Sequence, residues 1–455
     1  MQRKAVVLGI LILLMGQNVN AQYLKNVEYT FNVFGLTDGE KVSIAYYLGD
    51  KTYIKEELTA NDNRVTFKSD SLHVGLYLFI FSEDDNEFFQ FIVNEPKFTI
   101  NTTYENKQSD LVVYGSPENK MFYEYINFIK EKSNEVNQEV LGKPEAEIIK
   151  IKKIADEEVK VYQQRVISNS RNSMAAKLIN AAIDPLPDEP SKVMTEAERR
   201  SFNFYSYRNN FFDNIDLSTG HLTHSPILVN KISTYLDQLT VQQPDSIIAA
   251  VDHLLKLSSQ NEEVFKYATI QIFNKYAVSK VVCFDAIYVY IANKYYLSGR
   301  VNWVDEETLK RISTNVDALK NNICGVKSTN IEALDSKGEV KSLNDITANF
   351  TILVFLQKGC SECEATLKDL VEFDDNSEAD YQIMTIYNEP DEDDFLGAIK
   401  SYESRNWINV NDETGNSKLN VNFNIKTYPL IYVLDKDKII VSKKISAEQL
   451  IKVVK

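Results

Sequence analysis

The stretch "LQKGCSEC" (356–363) sets Cys360 and Cys363 three positions apart, directly after an apolar run and before a helical pattern. Two cysteines so spaced have three uses: electron exchange with another thiol pair, half of a metal site, or a static staple. Where a helix begins, unpaired backbone N–H groups and the macrodipole stabilise a thiolate, which makes Cys360 the candidate nucleophile. Cys363, one turn on, can attack the mixed disulfide formed by Cys360 and release the partner, completing a two-electron exchange. A zinc site needs two further ligands, yet no second Cys-x-x-Cys exists and none of the four histidines lies in this C-terminal region. A peroxidase pattern would place Thr three residues before the reactive cysteine, where Gln357 stands. A static disulfide is the remaining alternative. The neighbouring charges oppose one another: Glu362 and Glu364 raise the Cys360 pKa, while Lys358 and the helix terminus lower it. A raised thiol pKa makes the couple more reducing. No dissociable cofactor and no metal is expected, because the Cys360–Cys363 pair is itself the redox group.

The elements that would carry this pair alternate. "TILVFLQ" (351–357) reads as a buried strand, "CEATLKDLVEF" as a helix, "YQIMTIYN" as a strand and "EDDFLGAIKSYES" as a helix. "PLIYVLD" and "KIIVSKK" read as a hairpin around residues 436–438, and "SAEQLIKVVK" as a closing helix, giving an α/β layer with a central sheet. Upstream the periodicity differs. From Gln22 to about Tyr114 apolar residues alternate with polar ones, as in Val27, Tyr29, Phe31 and Val33, and turn signals such as Asp38-Gly39 separate the runs. That pattern predicts an antiparallel β-sandwich. At "YGSPENKMFYEYI" the period becomes helical, with Ser116 as the cap and Pro117 as the first helical residue. Helical stripes then continue to about Asn322, broken by the loop "DPLPDEP" (184–190), without the period of a helical solenoid. The expected organisation is a signal peptide (1–21), a β-sandwich domain (22–115), an α-helical domain (116–325) and a C-terminal α/β domain (326–455).

A strand, a Cys-x-x-Cys at the head of a helix, and Pro429 before the strand "PLIYVLD" together resemble the thioredoxin fold. The segments "VVYGSPENKMFYEYI", "YRNNFFDNIDL" and "NKYYLSGRVNWVDEETL" resemble the regions preceding thioredoxin domains in exported Bacteroidota proteins of the TlpA/ResA-like type. The resemblance implies a thiol–disulfide oxidoreductase in which Pro429 is a cis-proline and Thr427 and Tyr428 flank the groove for an extended partner chain. Several positions depart from the family pattern: Gly359 stands where a bulky residue precedes the first cysteine, Ser361-Glu362 lie between the cysteines, and Lys368 replaces a proline. Val354 occupies the place of a buried acid, so a proton acceptor for Cys363 is missing and resolution of the mixed disulfide should be slowed. A competent but slower reductase or isomerase is expected. An envelope binding or scaffold protein whose thioredoxin-like domain turns over little is the alternative.

Compartment and charge narrow the partners. Arg3 and Lys4 precede the apolar stretch Ala5 to Met15, and Val19 and Ala21 mark a cleavage site before Gln22, as in a secretory signal peptide. No cysteine follows that site, so no bacterial lipid anchor is expected, nor does any later apolar run approach the roughly 20 residues that span a bilayer. The expectation is an exported periplasmic protein, soluble after cleavage. A formal net charge of −15 argues against nucleic acid and anionic lipid as partners. The partners expected instead are exported proteins with cysteine disulfides, together with a membrane electron donor if the protein acts as a reductase. Four cysteines in 455 residues cannot build a disulfide scaffold. Cys283, in the apolar run "SKVVCFDAIYVYI", is expected to be a buried inert thiol, with a structural bond to Cys324 as the alternative. His221 and His224 in "HLTH" are expected on a surface loop rather than on a metal, the aromatic run 202–212 in core packing, and the acidic run 388–394 in a solvated loop and helix N-terminus.

Overall fold

The computed structural model describes residues 23–82, 87–106, 111–190, 192–413 and 415–454. The signal peptide expected at 1–21 lies outside the described residues. The chain forms two compact units, one running to Val241 and including Ala249–Gln271, the other comprising Gln242–Ile248 and Ile272–Lys455.

In the first unit the two-residue periodicity becomes eight strands: β1 (Tyr23–Phe34), β2 (Lys41–Leu48), β3 (Lys51–Thr59), β4 (Arg64–His73), β5 (Gly75–Ser82), β6 (Glu87–Val93), β7 (Lys97–Thr103) and β8 (Val112–Tyr114). They form two four-stranded sheets, ordered β4-β1-β7-β8 and β3-β2-β5-β6. The alternate residues Tyr29 and Phe31 of β1 and Phe67 of β4 meet Phe79 and Phe91 of the other sheet in one core, as period-two strands must when each buries one face. One pairing departs from the expected antiparallel pattern: β1 runs parallel to β7. The helices α1 (Pro117–Glu139), α2 (Glu145–Asn169), α3 (Met174–Ala182), α4 (Glu196–Asn209), α5 (Pro226–Asp237), α6 (Pro244–Ser258) and α7 (Glu262–Ala277) follow. Ser116 caps α1 by accepting the Asn119 N–H, with Pro117 in the first turn. The aromatic run is divided, because Phe211 and Phe212 are core while Phe204 and Tyr205 stay exposed.

His224 is buried at 6 % exposure, not on a surface loop. Its Nε2 lies 3.0 Å from Glu263 Oε1, its Nδ1 lies 3.2 Å from the Tyr47 carbonyl oxygen, and its ring stacks on His73 with centroids 4.7 Å apart. Gly75 allows this approach, since a Cβ there would meet His224 Cβ at 2.6 Å. No group of acidic, His and Cys side chains with metal-binding geometry occurs among the described residues.

Beyond the parts of α6 and α7 that it includes, the second unit carries α8 (Asp285–Ile291), a π turn (Ala292–Tyr296) and α9 (Glu306–Leu319). The alternation read from the sequence follows: β9 (Glu332–Leu334), β10 (Val340–Ser342), β11 (Phe350–Phe355), α10 (Ser361–Asn376), β12 (Tyr381–Tyr387), α11 (Glu392–Ile399), β13 (Ile408–Asn411), α12 (Leu419–Asn422), β14 (Leu430–Asp435), β15 (Ile440–Lys443) and α13 (Leu450–Val453). The closing helix is shorter than expected, a 3-10 turn at Ala447–Gln449 leading into the single turn of α13. The seven-stranded sheet has the order β10-β9-β13-β12-β11-β14-β15, with β11 at its interior. β11 is parallel to β12 and antiparallel to β14, and every residue from Thr351 to Leu356 is buried because apolar cores cover both faces of the sheet.

Cys283 is not an inert thiol. It is bonded to Cys324, with Cα atoms 5.3 Å apart, and so ties the segment before α8 to the end of α9. Beside this bond Lys443 is buried at 2 % exposure. Its ammonium meets Asp285 Oδ2 at 2.5 Å, the Asn322 carbonyl oxygen at 2.5 Å and Asn322 Oδ1 at 3.2 Å.

Candidate active site

Strand pairing assembles the site. β11 ends at Phe355 opposite Leu430 of β14 and opposite Ile386 of β12, so the loops after β11 and β12 and before β14 converge at one end of the sheet. Cys360 occupies the N-cap of α10, in extended backbone, and its Sγ accepts the Cys363 N–H at 3.2 Å. The two cysteines form a disulfide with Cα atoms 5.2 Å apart. Cys360 is half-buried whereas Cys363 is buried at 2 %, the asymmetry that an attacking and a resolving sulfur require. The Tyr428–Pro429 peptide is cis, and Cys360 Sγ lies 3.8 Å from the Tyr428 carbonyl oxygen. Thr427 is exposed and Tyr428 and Pro429 are half-buried, so the loop that touches Cys360 Sγ also meets solvent.

The charged residues are arranged less simply than their order in the chain suggests. Glu362 and Glu364 are exposed in the first turn of α10. The Lys358 ammonium is paired with Asp394 of α11, and that hydrogen bond raises its pKa. Its charge is thereby shared with Asp394 rather than directed at Cys360 alone. Gly359 has φ +72 with open space where a Cβ would stand. Backbone conformation rather than crowding therefore explains why a bulky residue is absent here. Val354 is fully buried among apolar side chains, and Lys368 and Ser361 face solvent.

The acidic run 388–394 is only partly a solvated loop. Asp391 caps α11 by accepting the Asp393 N–H, but Glu389 is buried at 9 % exposure, and its Oε1 accepts the Lys358 N–H at 2.7 Å. The Glu389 backbone is held on both sides by Asn411, whose Oδ1 accepts the Glu389 N–H and whose Nδ2 donates to the Glu389 carbonyl. Burial raises the Tyr428 phenol above its ordinary pKa, and the Glu389 carboxylate adds to the rise. Sequence reading passed over Glu389 among the five other polar or acidic residues of the run 388–394. A signal existed, since adjacent parallel strands place the residues after their C-terminal ends side by side.

A central sheet, a Cys-x-x-Cys at the head of the helix after its interior strand, and an X-Pro loop against the first sulfur define a thioredoxin-like domain. Residues 349–440 match the profile of a thioredoxin-like family, and residues 155–322 match a domain of unknown function. The C-terminal part of the chain belongs to that thioredoxin-like family. Among solved structures, a thioredoxin-like protein from Bacteroides caccae is similar at 19% identity over 59% of this chain and 96% of its own, with a TM-score of 0.41. A domain of a possible thiol-disulfide isomerase from Cytophaga hutchinsonii shares 30% identity over 29% of this chain and 90% of its own, with a TM-score of 0.27. A thiol:disulfide interchange protein from Bacteroides sp. shares 25% identity over 29% and 88%, with a TM-score of 0.26. No match is found among curated proteins. No helix among the described residues is long and apolar enough to cross a membrane.

Proposed function

We propose that this chain is a thiol–disulfide oxidoreductase of the periplasm, acting as a reductase or isomerase on exported proteins. The observation that carries the reading is the pairing of a half-buried Cys360, set against the Tyr428 carbonyl, with a buried Cys363 one helical turn away. In the reducing direction the Cys360 thiolate attacks one sulfur of a partner disulfide. That S–S bond breaks, and the leaving sulfur takes up a proton. Cys363 then gives up its proton and attacks Cys360, forming the intramolecular disulfide and releasing the second partner thiol. Two electrons pass from the Cys360/Cys363 dithiol to the partner, and a dithiol donor at the membrane restores the pair. Thr427, Tyr428 and Pro429 border the partner chain, and no dissociable cofactor takes part. Insulin reduction with dithiothreitol as donor tests this: the wild type accelerates precipitation over the uncatalysed rate, and Cys360→Ser abolishes the acceleration. A wild type no faster than Cys360→Ser would refute the proposal.

A further inference from the structure

We infer that Glu389 is the positioning residue of this site: its buried carboxylate fixes the loop that aims Cys360 and biases the Cys360/Cys363 couple toward the disulfide. The inference rests on the redox reading above and identifies a residue that sets the couple's potential. Three independent features carry it. Glu389 is nine-tenths buried, so little solvent screens its charge. Its Oε1 holds the Lys358 N–H, two residues before Cys360. The Asn411 side chain clamps its backbone from both sides, which leaves the carboxylate little freedom to turn outward. Glu389 also acts electrostatically on Tyr428, whose carbonyl oxygen lies against Cys360 Sγ, so its charge reaches the site from the partner-groove side as well.

The chain lacks an acid at Val354, inside the core beneath the cysteines. Glu389 supplies a buried negative charge from the loop after the neighbouring parallel strand β12 instead. Such a charge opposes a second negative charge on Cys360 and lowers the thiolate population. A less stabilised reduced form makes the dithiol a stronger reductant. Charged groups beside Cys360 in the chain include Glu362 and Glu364 on α10 and Lys358 on its own loop, with Asp391 and Asp394 acting on Lys358. All of these are at least partly exposed. They are screened by water and salt in a way that Glu389 is not.

The test uses the full chain and the Glu389→Gln, Glu389→Ser and Glu389→Asp variants. Gln keeps an acceptor for the Lys358 N–H and removes the charge, Ser is a second uncharged variant, and Asp keeps the charge. Each is equilibrated with oxidised glutathione, which takes two electrons and two protons from the Cys360/Cys363 dithiol to give the protein disulfide and two molecules of reduced glutathione. Thiolate absorbance is followed against pH in the reduced proteins. In whichever uncharged variant folds, the Cys360 thiolate fraction at a fixed pH below its pKa rises about tenfold, and the glutathione equilibrium measured at a pH above that pKa moves about tenfold toward the dithiol, as loss of one like charge nearby requires. The Asp variant stays within about threefold of the wild type. A Gln or Ser variant that titrates and equilibrates as the wild type does overturns the role of Glu389, and so does an Asp variant that shifts as far as Gln. A wild type that does not equilibrate with glutathione overturns the redox reading itself, a result distinct from both.

Discussion

Asp285→Ala tests whether a single buried charge pair holds the second unit together. The Lys443 side chain is 2 % exposed and that of Asp285 22 %. With Asp285 gone, the ammonium keeps only the neutral oxygens of Asn322 at 2.5 and 3.2 Å. Leaving one member of a buried pair uncompensated costs about 3–5 kcal/mol, and partial solvent access at Asp285 places this case near ~3 kcal/mol. At roughly 2–4 °C per kcal/mol for a domain of this class, the calorimetric transition falls by about 6–12 °C. Lys443→Met removes the ammonium and leaves the Asp285 carboxylate without its partner, 22 % exposed but with Oδ1 buried and making no hydrogen bond, and Asn322 without its donor, at a cost of about 1–3 kcal/mol. Burial lowers the Lys443 pKa below 10.5, with Asp285 opposing the shift. Between that lowered value and 10.5 the unfolded chain binds more protons than the native one, so stability contributed by this group increases with pH in that window. The Asp285→Ala deficit therefore shrinks on going alkaline, as the ammonium loses its charge. If the Asp285→Ala deficit is independent of pH up to 10.5, uncompensated charge on Lys443 is not the cause.

Three further outcomes follow from the fold. Replacing Cys283 and Cys324 together by Ser opens a loop of sequence separation 41 and should lower stability by about 4 kcal/mol in denaturant titration, the entropy of closing that loop. Gly359→Ala meets no steric contact but forces a side chain onto φ +72, so urea unfolding should show a loss of about 1 kcal/mol while the Cys360–Cys363 disulfide still forms. His73 has its pKa lowered to about 4, by burial first and then by His224. The unfolded chain therefore binds more protons between 6.5 and about 4, and stability falls as pH drops through that window. His73→Gln should flatten the acid limb of a Tm-against-pH profile, and an unchanged limb would assign the acid sensitivity to other groups.

What the sequence disclosed was whatever local periodicity encodes. Alternation at Val27, Tyr29, Phe31 and Val33 marked β1, the Ser116-Pro117 pair marked the start of α1, and the apolar run before Cys360 marked the buried interior strand. The candidate pair itself was equally legible, because three-residue spacing at a strand-to-helix junction puts both sulfurs on one turn. Features fixed by tertiary contact were not. Glu389 and Lys443 are charged residues in polar or hairpin contexts, and only the sheet that packs around them decides that they are buried. Bonding of Cys283 to Cys324 depends on where α8 and α9 bring two distant backbones, which neither spacing nor composition specifies. His224 sits beneath the first unit's sheets because Gly75 leaves room for it, a steric fact distributed over two segments.

Trapping with Cys363→Ser measures the central claim most directly. With the resolving sulfur removed, a peptide disulfide offered to the reduced full-length variant should accumulate as a mixed disulfide, and intact mass and peptide mapping should locate the adduct on Cys360. The account predicts a stable adduct at Cys360 in Cys363→Ser and none at residue 363 in Cys360→Ser. Adduct formation at Cys363 when Cys360 is replaced, or none in either variant, would contradict it.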